Sequence, residues 1–209
     1  MPGIGAHKAD CVVARVHAVF AGPQAPADPG RLIVHRLDMD TSGLMVVALD
    51  ADAQRDLAGQ FERRIPEKAY IALVDGLPER EEGEISLPLR LDVERRPFQI
   101  VDPVHGRPAT TRFRVLAREI DRSRLHLVPH TGRTHQLRVH CARGLNCPIL
   151  GDVLYGKAAA ATFAHGGSMT EAEQAARTES PRLMLHASRL SFLEPGTQTR
   201  VEFESPAPF

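Results

Sequence analysis

Two apolar runs, Leu32-Ile33-Val34 and Leu44 to Leu49, flank the segment His35-Arg36-Leu37-Asp38-Met39-Asp40-Thr41-Ser42-Gly43. No other part of the chain constrains the fold as strongly. An apolar run that ends in ionisable side chains and a glycine turn brings those side chains to the rim of a rigid frame. The pattern predicts a strand on each side of the turn. Turn preference accounts for Asp40, Thr41, Ser42 and Gly43. It does not account for Arg36 and Asp38, which alternation puts on one strand face among apolar neighbours. From pattern alone the two are either a structural ion pair or a reactive site.

A chain of 209 residues with 43% hydrophobic and 25% charged residues can bury a real core, as one large domain or two small ones. No apolar stretch approaches the roughly 20 residues that a membrane helix needs. Met1 to Asp10 carries no apolar signal core, and Cys11, Cys141 and Cys147 have no metal-ligand spacing and leave an odd thiol. A cytoplasmic, reducing environment is the expectation. The formal net charge of +0 argues against a protein that coats nucleic acid by charge alone. Local patterning says more. From Arg122 to Arg143 the chain holds Arg122, Arg124, Arg133, Arg138 and Arg143 with His126, His130, His135 and His140, and no acidic residue. Leu125, Leu127, Val128, Leu137 and Val139 interleave with these as in a packed element, not a plain solvated face.

Asp50 is placed to cap a helix over 51–64, with Ala53, Leu57 and Phe61 as its apolar stripe. Lys68 to Gly76 reads as an internal strand, in which Tyr70 is by itself more simply a core aromatic than a site residue. From Pro78 to Pro108 short strand-like pieces lie among loops. Thr110 to Arg118 and Ser123 to Val128 alternate as paired strands across Asp121-Arg122. Thr134 is placed to cap a short helix through Arg143, with Gly144 as its stop. Residues 156–180 read as an insert or flexible loop, with a helix near 170–177, and Arg182 to Phe203 as two strands around Glu194-Pro195-Gly196. An α+β domain over 1–209, built on a mixed, mainly antiparallel sheet flanked by helices and loops, is the simplest architecture.

Pro129 to His140 links a strand end to a helix start, where backbone N–H groups favour an anion. One turn into that helix, Arg138 shares a side with His135. Its guanidinium is placed to lie against a carboxylate such as Asp38 and to keep it charged and oriented. The four histidines do not read as a zinc site, because they span strand, turn and helix with arginines among them and no completing ligand. Asp38-Met39-Asp40-Thr41 admits a magnesium-dependent aspartyl-phosphate phosphohydrolase, but Gly151-Asp152-Val153-Leu154-Tyr155 offers no second carboxylate for the metal.

Four blocks together, His35 to Gly43, Lys68 to Val74, His130 to His140 and Arg182 to Ala187, resemble the RluA-type pseudouridine synthases, in the family's order and over nearly the whole chain. The resemblance implies an isomerase that turns uridine into pseudouridine in structured RNA, without cofactor or metal, on a mixed sheet with an RNA-binding cleft. It implies a compact member without an S4-like module, acting on ribosomal RNA, transfer RNA or both, soluble in the cytoplasm and monomeric. The family's first strand precedes the Pro2-Gly3-like position, and the resemblance implies either a misassigned start or a sheet that lacks this edge.

Matched residue by residue, Asp38 corresponds to the essential aspartate, which attacks C1′ or removes the 2′ proton. Tyr70 corresponds to the tyrosine that stacks on the target uracil and is placed to take the C5 proton. Arg138 corresponds to the arginine that pairs with the aspartate. Arg36 matches the side chain that fills the space left by the flipped nucleotide. Arg133 is a second candidate for phosphate, His135 a further substrate contact, and Leu185 the apolar wall below the base, or equally a core residue. The competing reading from a different class is a non-catalytic RNA-binding protein of the same fold.

Overall fold

The computed structural model describes residues 11–20, 22 and 28–209. The readings made on Met1 to Asp10 and on a preceding first strand fall outside these residues. Among the described residues one mixed sheet runs in the order β1-β8-β2-β7-β6-β3, with β9 on β8. Its strands are Ser42–Gly43 (β1), Glu67–Asp75 (β2), Glu82–Ser86 (β3), Thr110–Arg118 (β6), Arg122–Pro129 (β7), Leu185–Leu193 (β8) and Arg200–Glu204 (β9). Leu89–Leu91 (β4) and Gln99–Val101 (β5) form a separate antiparallel pair. Only β1 and β8 pair in parallel among the registers known for the large sheet; β2 with β7, β3 with β6, β6 with β7 and β8 with β9 are antiparallel.

The chain divides into two compact units. One holds the described part of Met1–Leu37, with Leu44–Glu67 and Arg189–Glu204. Its first helix is Val12–Phe20 (α1). Its helix Ala51–Glu62 (α2) starts where the sequence predicts, because Asp50 Oδ1 accepts from the backbone N–H groups of Asp52 (3.0 Å) and Ala53 (2.8 Å). The stripe Ala53, Leu57 and Phe61 packs with Ala48, Leu190, Phe192, Leu44, Val46 and Val201. Burying a leucine such as Leu57 contributes about 1.5–3 kcal/mol. On the same helix the buried amide of Gln60 donates to Leu193 O (2.7 Å) and accepts from Leu193 N (2.9 Å). A polar residue thereby closes a strand end inside an apolar layer.

The apolar runs that flank the first block do not form the expected hairpin. Pro29–Leu32 is a 3-10 turn, capped by Asp28, whose Oδ1 accepts from Gly30 N. Ile33 and Val47 meet in one isolated antiparallel bridge. His35 explains the interruption: its Nε2 accepts the Val46 N–H at 3.0 Å, and its ring stacks on Phe61 at 4.5 Å. A side chain here takes the place of a ladder bond.

The second unit holds Asp38–Gly43, Lys68–Ser188 and Ser205–Phe209. On β7, Ser123, Leu125 and Leu127 point into the core, and Arg122, Arg124 and His126 alternate outward. The basic segment is therefore two surfaces, a strand face and a helix. That helix is short, Gln136–Val139 (α3), and widens into a π turn over His140–Gly144. Its cap is not Thr134. His135 occupies the N-cap in a left-handed conformation, φ 53°, and makes no capping bond with its side chain. The stitching is done by Gln136, whose Oε1 accepts from Thr131 Oγ1 (2.7 Å) and Arg133 N (3.0 Å) while its Nε2 donates to Thr110 O and Thr111 Oγ1. The insert is helical at Lys157–Ala164 (α4) and Met169–Glu179 (α5), and Ser168 and Glu171 form a capping box at the start of α5.

β1 brings the Asp38 loop to its place. Asp38 O accepts from Thr41 N at 3.0 Å, which closes a turn, and Ser42 and Gly43 then pair with His186 and Ala187. Gly43 has φ +107°, and a Cβ there would stand 2.3 Å from Ala187 O. Gly196 has φ +88° with open space around its Cβ position. Gly43→Ala should therefore lower the unfolding free energy by more than Gly196→Ala, which carries only the roughly 1–3 kcal/mol of an unfavourable backbone. Equal losses in chemical denaturation would show that the approach of β1 to β8 is not tight.

Candidate active site

Asp38 opens the turn that precedes β1, and it is partly exposed beside the fully exposed Met39. Ser42 Oγ lies 2.8 Å from His186 Nδ1, and the other ring nitrogen of His186 lies 3.2 Å from the Ser205 carbonyl. A carbonyl only accepts, so Nε2 carries the proton and Nδ1 accepts the Ser42 hydroxyl. Burial lowers the His186 pKa and favours this neutral ring. On the other side of the turn, Asp40 faces Arg177 of α5 at 3.5 Å.

Tyr70 stands on β2 opposite Leu127, on the face that continues into Ala72 and Val74. It packs against the core cluster that contains Leu185, which is 2% exposed. Burial, and next the charge of Asp38, push the Tyr70 phenol up to about 12. The phenol thus rests protonated at neutral pH. Lys68, two residues earlier and on the same strand face, has its ammonium pushed below the usual range by burial. Its Nζ lies 4.0 Å from the Cβ position of Gly132.

Arg138 does not take Asp38 as its ion-pair partner. Its Nε and Nη2 bind Asp152 Oδ2 (2.7 Å) and Oδ1 (2.6 Å), a bidentate fork with both residues buried. Arg138 is 5% exposed and Asp152 0%. Asp152 Oδ1 also accepts from the backbone N–H groups of Leu154 (2.9 Å) and Tyr155 (3.0 Å). The Arg138 guanidinium lies over the Tyr155 ring at 5.2 Å. The desolvation of Arg138 lowers its pKa, but the pair with Asp152 outweighs it, and the charges of Asp38 and Tyr155 add to the rise. Asp38 therefore acts on Arg138 through space, and none of the ion pairs among the described residues includes it. The sequence pointed to the wrong carboxylate because Asp152 is 14 positions downstream, beyond the reach of a helix-face argument.

His135 and Tyr155 are joined as well, Nδ1 to Oη at 2.9 Å, and Tyr155 Oη accepts the Gln99 N–H at 2.7 Å. Burial pushes the Tyr155 phenol up to about 12, despite the lowering effects of the Gln99 bond and of Arg138. Arg133 donates from Nε to Pro108 O at 3.1 Å. Arg36 belongs to the other unit and is exposed. So Asp38, Tyr70, Arg138, His135 and Leu185 share one unit, with the electrostatic and packing links just described.

Asp152, Tyr155 and Lys68 were not singled out as site residues from sequence. A signal existed for the first, since a lone carboxylate in the apolar stretch Cys147 to Tyr155 must be paired if buried. Lys68 was legible as the strand neighbour of Tyr70 two positions away. The four histidines go separate ways, as alternation on β7 and the His140 bond to Thr111 Oγ1 (2.9 Å) require. Among the described residues no three His, Cys, Asp or Glu side chains come together as a metal site.

Comparison with known proteins agrees with this geometry. Residues 18–143 match the family model described as RNA pseudouridylate synthase. A protein of Pasteurella multocida (strain Pm70) named dual-specificity RNA pseudouridine synthase RluA is 44% identical over 84% of this chain and 73% of its own length. Its namesake in Escherichia coli (strain K12) is 40% identical over 100% of this chain and 84% of its own. Among solved structures, human RNA Pseudouridylate Synthase Domain Containing 1 superposes with a TM-score of 0.66 at 33% identity, over 84% of this chain and 69% of that one. Human RNA Pseudouridylate Synthase Domain Containing 4 gives a TM-score of 0.63 at 27% identity, over 84% and 71%. The chain belongs to the RNA pseudouridylate synthase family and within it is of the RluA type.

Proposed function

We propose that this protein isomerises specific uridines to pseudouridine in structured loops of ribosomal RNA, transfer RNA or both, as a cytoplasmic monomer. The observation that carries the reading is that Asp38, Tyr70, Arg138 and Leu185 lie in one compact unit, where Tyr70 packs against the cluster of Leu185 and the charge of Asp38 acts on both the phenol and the guanidinium. A carboxylate, an aromatic ring on an apolar floor and an oriented cation are the groups that a flipped uridine needs. Asp38 attacks C1′ or takes the 2′ proton, the N1–C1′ bond breaks, and the uracil turns. C1′ then joins C5 as the Asp38–C1′ bond breaks or as the 2′ proton is returned, the C5 proton leaves, and N1 ends protonated, so the atoms balance without an added reactant.

Tyr70 acts in this scheme as a stacking phenol. Because it rests protonated, a role as base for the C5 proton requires its own proton to pass to a neighbour first, and Asp38 is the carboxylate whose charge it feels. Leu185 forms the floor shared with Tyr70. Arg133 and His135 contact the RNA backbone, and Arg36 fills the stack that the uridine leaves. The family assignment, together with a site made of acid, phenol and guanidinium, leaves the phosphohydrolase without its second metal carboxylate, since the one near Arg138 is bound to it.

Asp38→Asn should abolish tritium release from C5-labelled uridine in ribosomal and transfer RNA transcripts and leave RNA binding within about threefold of wild type. Undiminished release would remove Asp38 from the chemistry, and binding without release by the wild-type protein would favour the non-catalytic RNA-binding reading. A second prediction concerns the phenols. The chain holds 2 tyrosines and no tryptophan, and both tyrosines are raised to about 12. Absorbance at 295 nm should show little tyrosinate at pH 10, where an unfolded chain is about half ionised. The folded state holds these protons more tightly, so stability falls as pH rises from about 10 to about 12 and is unaffected by the tyrosines below that window. A native transition centred near pH 10 would contradict the burial of the two phenols.

A further inference from the structure

We propose that Asp152, with Tyr155, is the positioning group that sets the orientation of Arg138. The inference rests on the isomerase reading and names residues which that reading does not require. The guanidinium has two hydrogen-bonding edges. The Nε–Nη2 edge is fully committed to the two oxygens of Asp152. Among the described residues Nη1 makes no hydrogen bond, and no enclosed side-chain nitrogen or oxygen lacks a partner. Nη1 is therefore not sealed off, on a residue that is 5% exposed and feels the charges of Asp38 and Tyr155. One edge is anchored and the other is presented.

The anchor itself cannot drift. Asp152 is tied to the backbone at Leu154 and Tyr155 by the same oxygen that binds Nη2. The residue before it, Gly151, has φ +70°, and a Cβ there would lie 2.0 Å from Arg182 O. That contact fixes the loop next to the segment leading into β8. The Tyr155 ring blocks one face of the guanidinium, and its hydroxyl is held by Gln99 N and His135. Loop, ring and carboxylate together leave one position for the cation.

The charge balance follows from the same geometry. A buried arginine with no partner would turn its fork to the nearest free carboxylate, and Asp38 is the one whose charge reaches it. A bidentate pair there would occupy the oxygens meant to attack C1′ or take a proton. With Asp152 in place the pair is neutral as a unit, and Nη1 remains for the substrate.

The test uses C5-tritiated ribosomal and transfer RNA transcripts and the full-length protein, with wild type in parallel. Asp152→Asn should lower kcat by about 10- to 100-fold, the scale of a small misplacement of a reacting group, with KM within about threefold. In an Arg138→Ala background the same substitution should cause no further loss, because its effect passes through Arg138. The acid limb of the kcat profile should also move to lower pH in Asp152→Asn, since the unpaired guanidinium then acts on Asp38. Tyr155, the other titratable group whose charge bears on Arg138, is unchanged in that variant. If Asp152→Asn does not fold, Tyr155→Leu decides, with kcat down about tenfold and KM held as the expected result. A folded variant with wild-type kcat, or losses that multiply with Arg138→Ala, overturns the inference and leaves the isomerase reading standing. An inactive wild type overturns both.

Discussion

The fork between Arg138 and Asp152 sets the conditions for the rest of the second unit. Two full charges without water around them are costly, and only good geometry with satisfied remaining groups offsets the cost. Here the carboxylate meets two guanidinium nitrogens and two backbone N–H groups, and the guanidinium also lies over an aromatic ring. Removing one partner of such a pair typically costs roughly 3–5 kcal/mol, because the other is left buried and uncompensated. The pair thus ties the chemistry of the helix after β7 to a loop that is defined by backbone contacts.

Sheet register delivers the remaining groups. Tyr70 pairs with Leu127, and Ser42 with His186, so the phenol and the Asp38 turn reach neighbouring places from strands far apart in sequence. A slip of one residue in β2 would turn Lys68, Tyr70, Ala72 and Val74 to the other face. The core cluster of Leu125, Leu127, Leu137 and Leu185 opposes that slip, because it would expose every one of its partners on β2. Apolar packing is in this sense a positional device for polar groups. The Gly43 approach and the neutral His186 do the same for the turn that carries Asp38.

Much of this was legible in the chain. Asp50 with Ala53, Leu57 and Phe61 specified α2, and alternation specified β2, β6 and β7, because local hydrogen bonding and a periodic apolar face decide those elements. The four family blocks pointed to Asp38, Tyr70 and Arg138 as one site, and the three residues lie in one compact unit. Three local readings were displaced. The hairpin around residue 40 gave way to one bridge, because His35 takes the Val46 N–H and β1 pairs with β8. Thr134 yielded the helix start to His135, because the side chain of Gln136 already serves the groups a cap would serve. The guanidinium of Arg138 went to Asp152.

The sequence by itself determined the family and the elements whose residues sit close together along the chain. Periodicity and turn preference act over a few residues, and a long motif carries its meaning wherever it lies. Only the tertiary structure decided which acid meets which base. That choice depends on distances between strands and loops remote in sequence, on the cost of burying a charge, and on the narrow geometry of a guanidinium fork. None of these leaves a periodic trace along the chain, which is why Asp152 looked like a stray carboxylate until the fold closed over it.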